Sequence, residues 1–388
     1  MLIGIRITIR FWINISMKVV VIAPTMFVSE RGTSQRILKQ IESLLHKGVF
    51  ITLYSYGLGG DHESLRHENL KIKRIPNFFP WLKSIPSGFS FYKIIADILL
   101  VIKVTFSLPK DTEVVHAHLY EGILIGWLVS KLYFCKKFVL VGDFHGSLSV
   151  EMGIKNVWLS SVVKKIESQI HTIPEIALAS SVELCEYIEI IRKDEVLMIF
   201  DLPSVKSFFG CEVEKSEKIL LYTGGFGIEK GIGILYKLME KLSDLKNIHW
   251  VIAGSPIESL DIPKSIDSCR YTIVSPLSKK ELESLLQKAY LGIDPKLNSL
   301  QGSGKILNYI SSSVPVVAFF SKTNYFYIGD SSLDLTGLSI VELSDIIKGL
   351  VESTERRSKV ARLVYERSKL FSINNLGDRL LSIYEKHI

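Results

Sequence analysis

The chain has almost no cysteine. Cys135, Cys185, Cys211 and Cys269 stand far apart in 388 residues, and no C-x-x-C pair occurs. That excludes a disulfide-stapled scaffold and fits a reducing compartment. No histidine lies at the spacing of a zinc site, and no Asp-x-Asp is present to hold a divalent cation, so metal-free chemistry is expected. Two familiar nucleotide signatures are missing as well. The first loop, "APTMFVSERGTSQ", lacks G-x-G-x-x-G, which argues against a dinucleotide oxidoreductase. A P-loop is excluded because Ile306, not Ser or Thr, follows Lys305. Nor is there a long apolar run. "IIADILLVIKVTF" is broken by Asp97 and Lys103 and falls short of the roughly 20 residues that a membrane span needs. Arg6 and Arg10 interrupt the opening segment, and no small-residue cleavage site follows, which argues against a secretory signal. Residues 1–16 therefore read as an extra N-terminal segment ahead of an ordinary start at "MKVVVIAP", with a membrane foothold as the alternative.

What remains is a globular composition, 47% hydrophobic and 22% charged, on a chain long enough for two domains. The net charge of +7 points to an anionic partner, which could be a phosphate ligand, a membrane surface or nucleic acid. Short apolar runs alternate with amphipathic helical patterns. "KVVVIA" reads as a strand buried on both faces, and "TSQRILKQIESLLHKG" as the helix after it. "VFITLYSY", "EVVHAH", "KFVLVGDFH", "IALAS" and "VLMIF" continue the pattern. A turn-rich linker follows at about 201–216, and the scheme restarts with "KILLYT", "IHWVIAG", "YTIV", "YLGID" and "VPVVAFF". The expected fold class is α/β, with two doubly wound Rossmann-like domains facing a central cleft. The expected boundaries are 17–205 for the first of these domains and 206–370 for the second. Residues 371–388 are expected to form a helix that lies against either domain, with packing back on the first domain as one of the two placements.

Two glycine-rich junctions carry chemistry in the second half. "GGFGIEKG" follows a strand and opens a helix, so its free N–H groups and Lys230 suit an anion. "GSGK" at 302–305 repeats that chemistry at a second helix start, where Lys305, Asn308 and Ser312 share a polar face. In the first half, "HAH" and "DFHGS" end strands. His116 and His118 read as structural; His145, beside Asp143, reads equally as structural or as a cleft-facing group that orients a hydroxyl. Residues 71–110 hold seven basic groups, including Lys83 and Lys93, against the single acid Asp97, with Trp81 and several phenylalanines between them. That mixture fits a membrane interface; a core under solvated lysines and a single-stranded nucleic-acid platform are its rivals.

Together these stretches resemble the retaining glycosyltransferases of family 4, which have the GT-B fold. The resemblance covers Met17 to the C-terminus and rests on "ILLYTGGFGIEKGIGILYKLMEKL", "LGIDPKLNSLQGSGKILNYISSSVPVVAF", "VVVIAPTMFVSERGTSQR", "EVVHAHLYEGILIG" and "VLVGDFHGSLSVEM". It implies a nucleotide-diphosphate sugar donor held by Gly32, Gly225, Glu229, Lys230, Gly302, Ser303, Gly304, Lys305 and Asn308. Lys230 would pair with the diphosphate, and His145 and Lys230 would be the catalytic pair. The family's arginine position holds Gly225. The second of its paired glutamates is replaced by Asn308, and the first falls near Leu300 or Gln301. Lys305 would supply the missing cation. The implied acceptor is a glycan or lipid-linked molecule at the cytoplasmic membrane face, met on the side of Trp81, Lys83 and Lys93. No metal, cofactor or nucleic-acid partner is expected. The lost arginine and glutamate leave an alternative open: a catalytically weakened subunit that binds a nucleotide sugar for an active partner. An epimerase on the same fold would need cleft carboxylates that the sequence hardly offers.

Overall fold

Runs such as Lys18–Ala23 have no polar side to turn toward water, so they settle inside parallel sheets covered on both faces. A computed structural model of the chain describes residues 17–26, 32–57, 65–77, 90–133, 138–152, 156–210, 218–297 and 300–388. The first sheet contains β1 (Lys18–Ala23), β2 (Phe50–Ser55), β3 (Leu70–Arg74), β4 (Val114–His118), β5 (Val139–Phe144), β6 (Ile176–Ala179) and β7 (Val196–Met198). The second contains β8 (Lys218–Gly225), β9 (Ile248–Ser255), β10 (Tyr271–Val274), β11 (Ala289–Asp294), β12 (Val316–Phe319) and β13 (Thr336–Gly337). All the strand pairs are parallel. The strand orders are 3-2-1-4-5-6-7 and 10-9-8-11-12-13. Order reverses between β1 and β4 in one sheet and between β8 and β11 in the other. Such reversals open a crevice beyond the carboxyl ends of the strands.

The helices are α1 (Gly32–Leu45), α2 (Phe91–Ser107), α3 (Leu119–Leu132), α4 (Leu148–Glu151), α5 (Val157–His171), α6 (Val182–Arg192) and α7 (Ile232–Lys241). They continue with α8 (Lys279–Lys288), α9 (Gly304–Ser311), α10 (Lys322–Ile328), α11 (Ser332–Leu335), α12 (Ile340–Glu352), α13 (Thr354–Ser368) and α14 (Ile373–Glu385). Serine starts many of them. Ser181, Ser321, Ser339 and Ser372 each accept from the backbone N–H three residues on, which satisfies a donor the helix itself leaves orphaned.

One apolar cluster runs from α1 and β1 through Ile199, Phe200 and Phe371 into the second sheet. Another fills the opposite face of the first sheet under α2, α3 and α6. The last helix lies against α1, where Lys47 pairs with Asp378 at 2.7 Å and the Tyr384 hydroxyl meets His116 Nδ1 at 2.7 Å. The two lobes also meet where α6 and α10 begin. Glu183 accepts from the backbone N–H of Lys322 at 2.6 Å and from the Thr323 hydroxyl, and Thr323 Oγ1 in turn accepts from the Val182 N–H at 2.9 Å. No described helix is long and apolar enough to cross a membrane.

Candidate functional site

The order reversal in the second sheet brings β8 and β11 side by side, and the two glycine junctions follow their ends. Gly224 sits at φ +134°, a conformation that favours glycine. A Cβ there would stand 3.3 Å from Lys305 Nζ, so the missing side chain makes room for the lysine. Lys305 enters from the first turn of α9. Its ammonium lies 3.3 Å from Asp294 Oδ1 at the end of β11 and 4.3 Å from the ring centroid of Tyr222. Lys230 ends a short 3-10 turn, Ile228–Lys230, and its ammonium donates to Gln301 Oε1 at 3.2 Å. Its stem passes 3.6 Å from where a Cβ on Gly225 would be. The two lysines therefore flank the Gly224–Gly225 turn. Burial pulls the Lys305 pKa down; Asp294 opposes this, and the positive charge of Lys230 lowers it further. Lys296 holds the approach, donating to the Gln301 and Gly302 carbonyls at 2.5 and 3.4 Å. A hollow lined by Asp294, Lys296, Gln301, Ser303, Ser321 and Asn324 opens beside these groups.

The remaining predicted residues divide. Ser303 occupies the N-cap of α9 but makes no side-chain cap, so the first N–H groups of that helix have no side-chain acceptor from it. Gly304 faces open space. Glu229 is exposed, and its carboxylate folds back over Gly227. Gly32 opens α1 with nothing within 4 Å of a built Cβ. The polar face expected on α9 is not turned to solvent. Asn308 is 9% exposed and Ser312 2%. Asn308 Oδ1 accepts from the N–H and hydroxyl of Ser204 at 2.8 and 3.1 Å, so the interlobe linker occupies that face. Lys93 is ion-paired with Glu121. Trp81 and Lys83 lie outside the described residues.

Across the lobes, Ser180 links the loop after β5 to the α9 junction. Its hydroxyl donates to the His145 carbonyl at 2.9 Å, and its own carbonyl stands 2.8 Å from where a Cβ on Gly302 would be. His145 thus stands at the contact between β6 and the α9 loop. Behind it lies a buried network that the sequence did not reveal. Arg36 binds both oxygens of Asp143, at 2.8 and 3.1 Å, and reaches the Ile199 carbonyl at 2.9 Å and Asp201 at 2.6 Å. Gln40 donates to Asp143 at 2.8 Å, and His118 Nδ1 lies 3.2 Å from Asp143 and 3.3 Å from His145 Nε2. Burial would raise the Asp143 pKa, but Arg36 and the two histidines hold it well below the usual carboxylate range. Burial pushes His118 down to about 4 and His116 well below its ordinary value, so both rings are neutral at pH 7.

His116, His118 and Asp143 offer ligand atoms within 4.8 Å of one another, a grouping their sequence spacing did not suggest. The donor set does not fit a cation. Arg36 already supplies a fixed positive charge to both carboxylate oxygens, and the two rings are stacked at 4.3 Å instead of converging edge-on. The cluster is better read as packing that fixes β4, β5 and the linker together. Asp143 carried a visible signal, a charge inside an apolar strand. Arg36 carried none beyond its place on α1.

No family model matches the chain, and no curated protein is similar to it in sequence. Solved structures do match over nearly the whole length. Sucrose-phosphate synthase from Thermosynechococcus elongatus superposes with a TM-score of 0.75 at 14% identity, covering 95% of this chain and 98% of that one. HepE of Anabaena, in complex with UDP and glucose, gives 0.72 at 12% identity over 95% and 100%. TarM gives 0.73 at 9% identity over 95% and 98%. At these identities the likeness establishes the fold: two Rossmann-like lobes arranged as in the GT-B glycosyltransferases.

Proposed function

We propose that the protein is a glycosyltransferase that takes a sugar from a nucleotide diphosphate and passes it, with retention of configuration and without a metal, to a glycan or lipid-linked acceptor at a membrane surface. One observation carries the reading. Lys230 and Lys305 flank the Gly224–Gly225 turn at the strand-order reversal, near enough for the charge of Lys230 to lower the Lys305 pKa, and the carboxylate beside Lys305 is Asp294. A diphosphate placed there supplies the missing negative charge and accepts from the start of α9. HepE has been solved with UDP and with UDP-glucose, and a trehalose-6-phosphate protein of E. coli with UDP-2-fluoro glucose, which supports a nucleotide-sugar donor.

In the proposed reaction the anomeric C–O bond to the diphosphate breaks and a bond to the acceptor oxygen forms. Negative charge grows on the leaving phosphate, where both lysines gain most. The acceptor proton passes to that phosphate oxygen. His145, from the facing lobe, orients the donor sugar. Asn308 favours the second reading, a donor-binding subunit with little turnover, because Ser204 occupies the oxygen that would take a ribose hydroxyl.

The test is a thermal-shift screen against UDP, GDP, dTDP and ADP sugars, followed by nucleotide-release measurements. Stabilisation by one nucleotide and slow release of it, both lost in Lys230→Ala, are the expected results. Binding without release supports the subunit reading, and no stabilisation by any donor removes both.

A further inference from the structure

Helix α2 is apolar on two opposite sides. Ala96, Leu100 and Val104 are buried in the first lobe. Phe91, Ile94, Ile98, Ile102 and Phe106 point the other way, and Phe91 and Phe106 are 70% and 85% exposed. Their spacing of three and four residues sets them in one stripe along a helix roughly 25 Å long. Helix α3 runs alongside in the same direction. Lys93 of α2 pairs with Glu121 near the start of α3, and the Tyr133 hydroxyl after α3 donates to the Thr105 carbonyl near the end of α2. Trp127, Leu128 and Leu132 of this neighbouring helix are exposed as well. Soluble proteins rarely leave contiguous apolar area of this kind without a use.

The charges around it are one-sided. Asp97, the acid within α2, accepts from the Tyr56 hydroxyl, Glu121 is taken by Lys93, and Asp111, next to Lys110, is paired with Lys18. Lys110 and Lys131 are exposed around the patch, and Lys103 is partly so. A second copy meeting this face about a two-fold axis would set those lysines against themselves. An anionic lipid surface would instead satisfy them while the rings and aliphatic chains enter the headgroup boundary.

We infer that the α2–α3 face is a docking surface for a bilayer containing anionic lipid. The inference deepens the reading above, whose acceptor is membrane-borne, and it assigns the contact to described residues other than Trp81 and Lys83. Both helices begin at the carboxyl ends of the strands, the edge that faces the cleft, so docking through them brings that edge to the membrane surface.

The experiment is sedimentation of the full chain with vesicles of phosphatidylcholine alone or mixed with phosphatidylglycerol. UDP affinity and oligomeric state are measured on the same samples. The wild type is expected to pellet with the anionic vesicles and to remain in solution with the neutral ones. Phe91→Ser/Ile98→Ser/Phe106→Ser should lower the bound fraction about tenfold while UDP affinity stays at the wild-type value, which shows the fold is intact. Lys103→Glu/Lys131→Glu should abolish the preference for anionic lipid. Wild type that binds UDP but neither vesicle overturns the docking surface and leaves the donor reading standing. Vesicle binding without nucleotide binding does the reverse. A dimer that dissociates in the triple variant, with no vesicle binding by the wild type, reassigns the face to self-association and ends the proposal.

Discussion

Lys305 lies 3.3 Å from Asp294, yet neither the ammonium nor the nearest carboxylate oxygen is aligned for a hydrogen bond. The ammonium is buried, and its neighbour Lys230 is a second cation. Under the proposed function a bound diphosphate adds the negative charge that two lysines and one aspartate leave unbalanced, which makes the pair a sensitive probe of the proposed donor site.

Affinity for a nucleoside diphosphate should therefore depend on pH above neutrality. Burial lowers the Lys305 pKa, and a bound diphosphate favours the charged form. Affinity should fall as pH rises through that lowered pKa. In Lys305→Arg the cation stays charged, so the profile should flatten. Calorimetric titration with UDP from pH 7 upward measures both profiles, and a wild-type affinity that does not change with pH contradicts the expectation.

Lys230→Ala should weaken nucleoside diphosphate binding by about 10–100-fold, the worth of one or two hydrogen bonds to a charged group. The side chain is only partly buried and its single hydrogen bond goes to Gln301, so the melting temperature should barely move. A large loss of stability would mark Lys230 as structural.

Arg36→Met should cost about 3–5 kcal/mol, because it leaves the buried Asp143 carboxylate without its cation. The sign of the pH effect follows from Asp143. Its folded pKa is depressed, so its stabilisation is present above the unfolded carboxylate value and is lost as pH falls through the folded one. The variant should denature at higher pH than the wild type in an acid titration followed by circular dichroism. Equal acid midpoints would sink this account of the network.

Asp97 behaves oppositely. Burial raises its pKa to about 7 despite the hydrogen bond from Tyr56. Its folded pKa exceeds the unfolded one, so the folded state holds the proton longer and stability declines as pH rises from about 4 to about 7. Asp97→Asn should remove that decline and melt higher than the wild type at pH 8. Parallel melting curves for the two proteins across this range would contradict it.

The two-lobed fold was legible because its signals are local. Apolar runs such as "KVVVIA" and "KILLYT" need no partner to be recognised as buried strands. β3 escaped because "LKIKR" alternates charge with apolar residues, and β13 because it is two residues long. The glycine turns and lysines of the candidate site were readable for the same reason, since each sits in one short stretch. Asp294 and Tyr222 were not, because their meaning depends on where Lys305 lands. Arg36 shows the limit most clearly. Its partners lie 107 to 165 positions away, and only the folded sheet brings Asp143, Ile199 and Asp201 to one guanidinium.

The placement of Tyr384 has a consequence for biosynthesis. The ribosome delivers the chain from its amino end, yet the tyrosine that meets His116 comes 268 positions later. Until the final helix emerges, the nascent first lobe carries an uncovered outer side on α1 and an unsealed histidine pair. Closure of the first lobe thus waits on a helix made 268 positions after the histidine it covers.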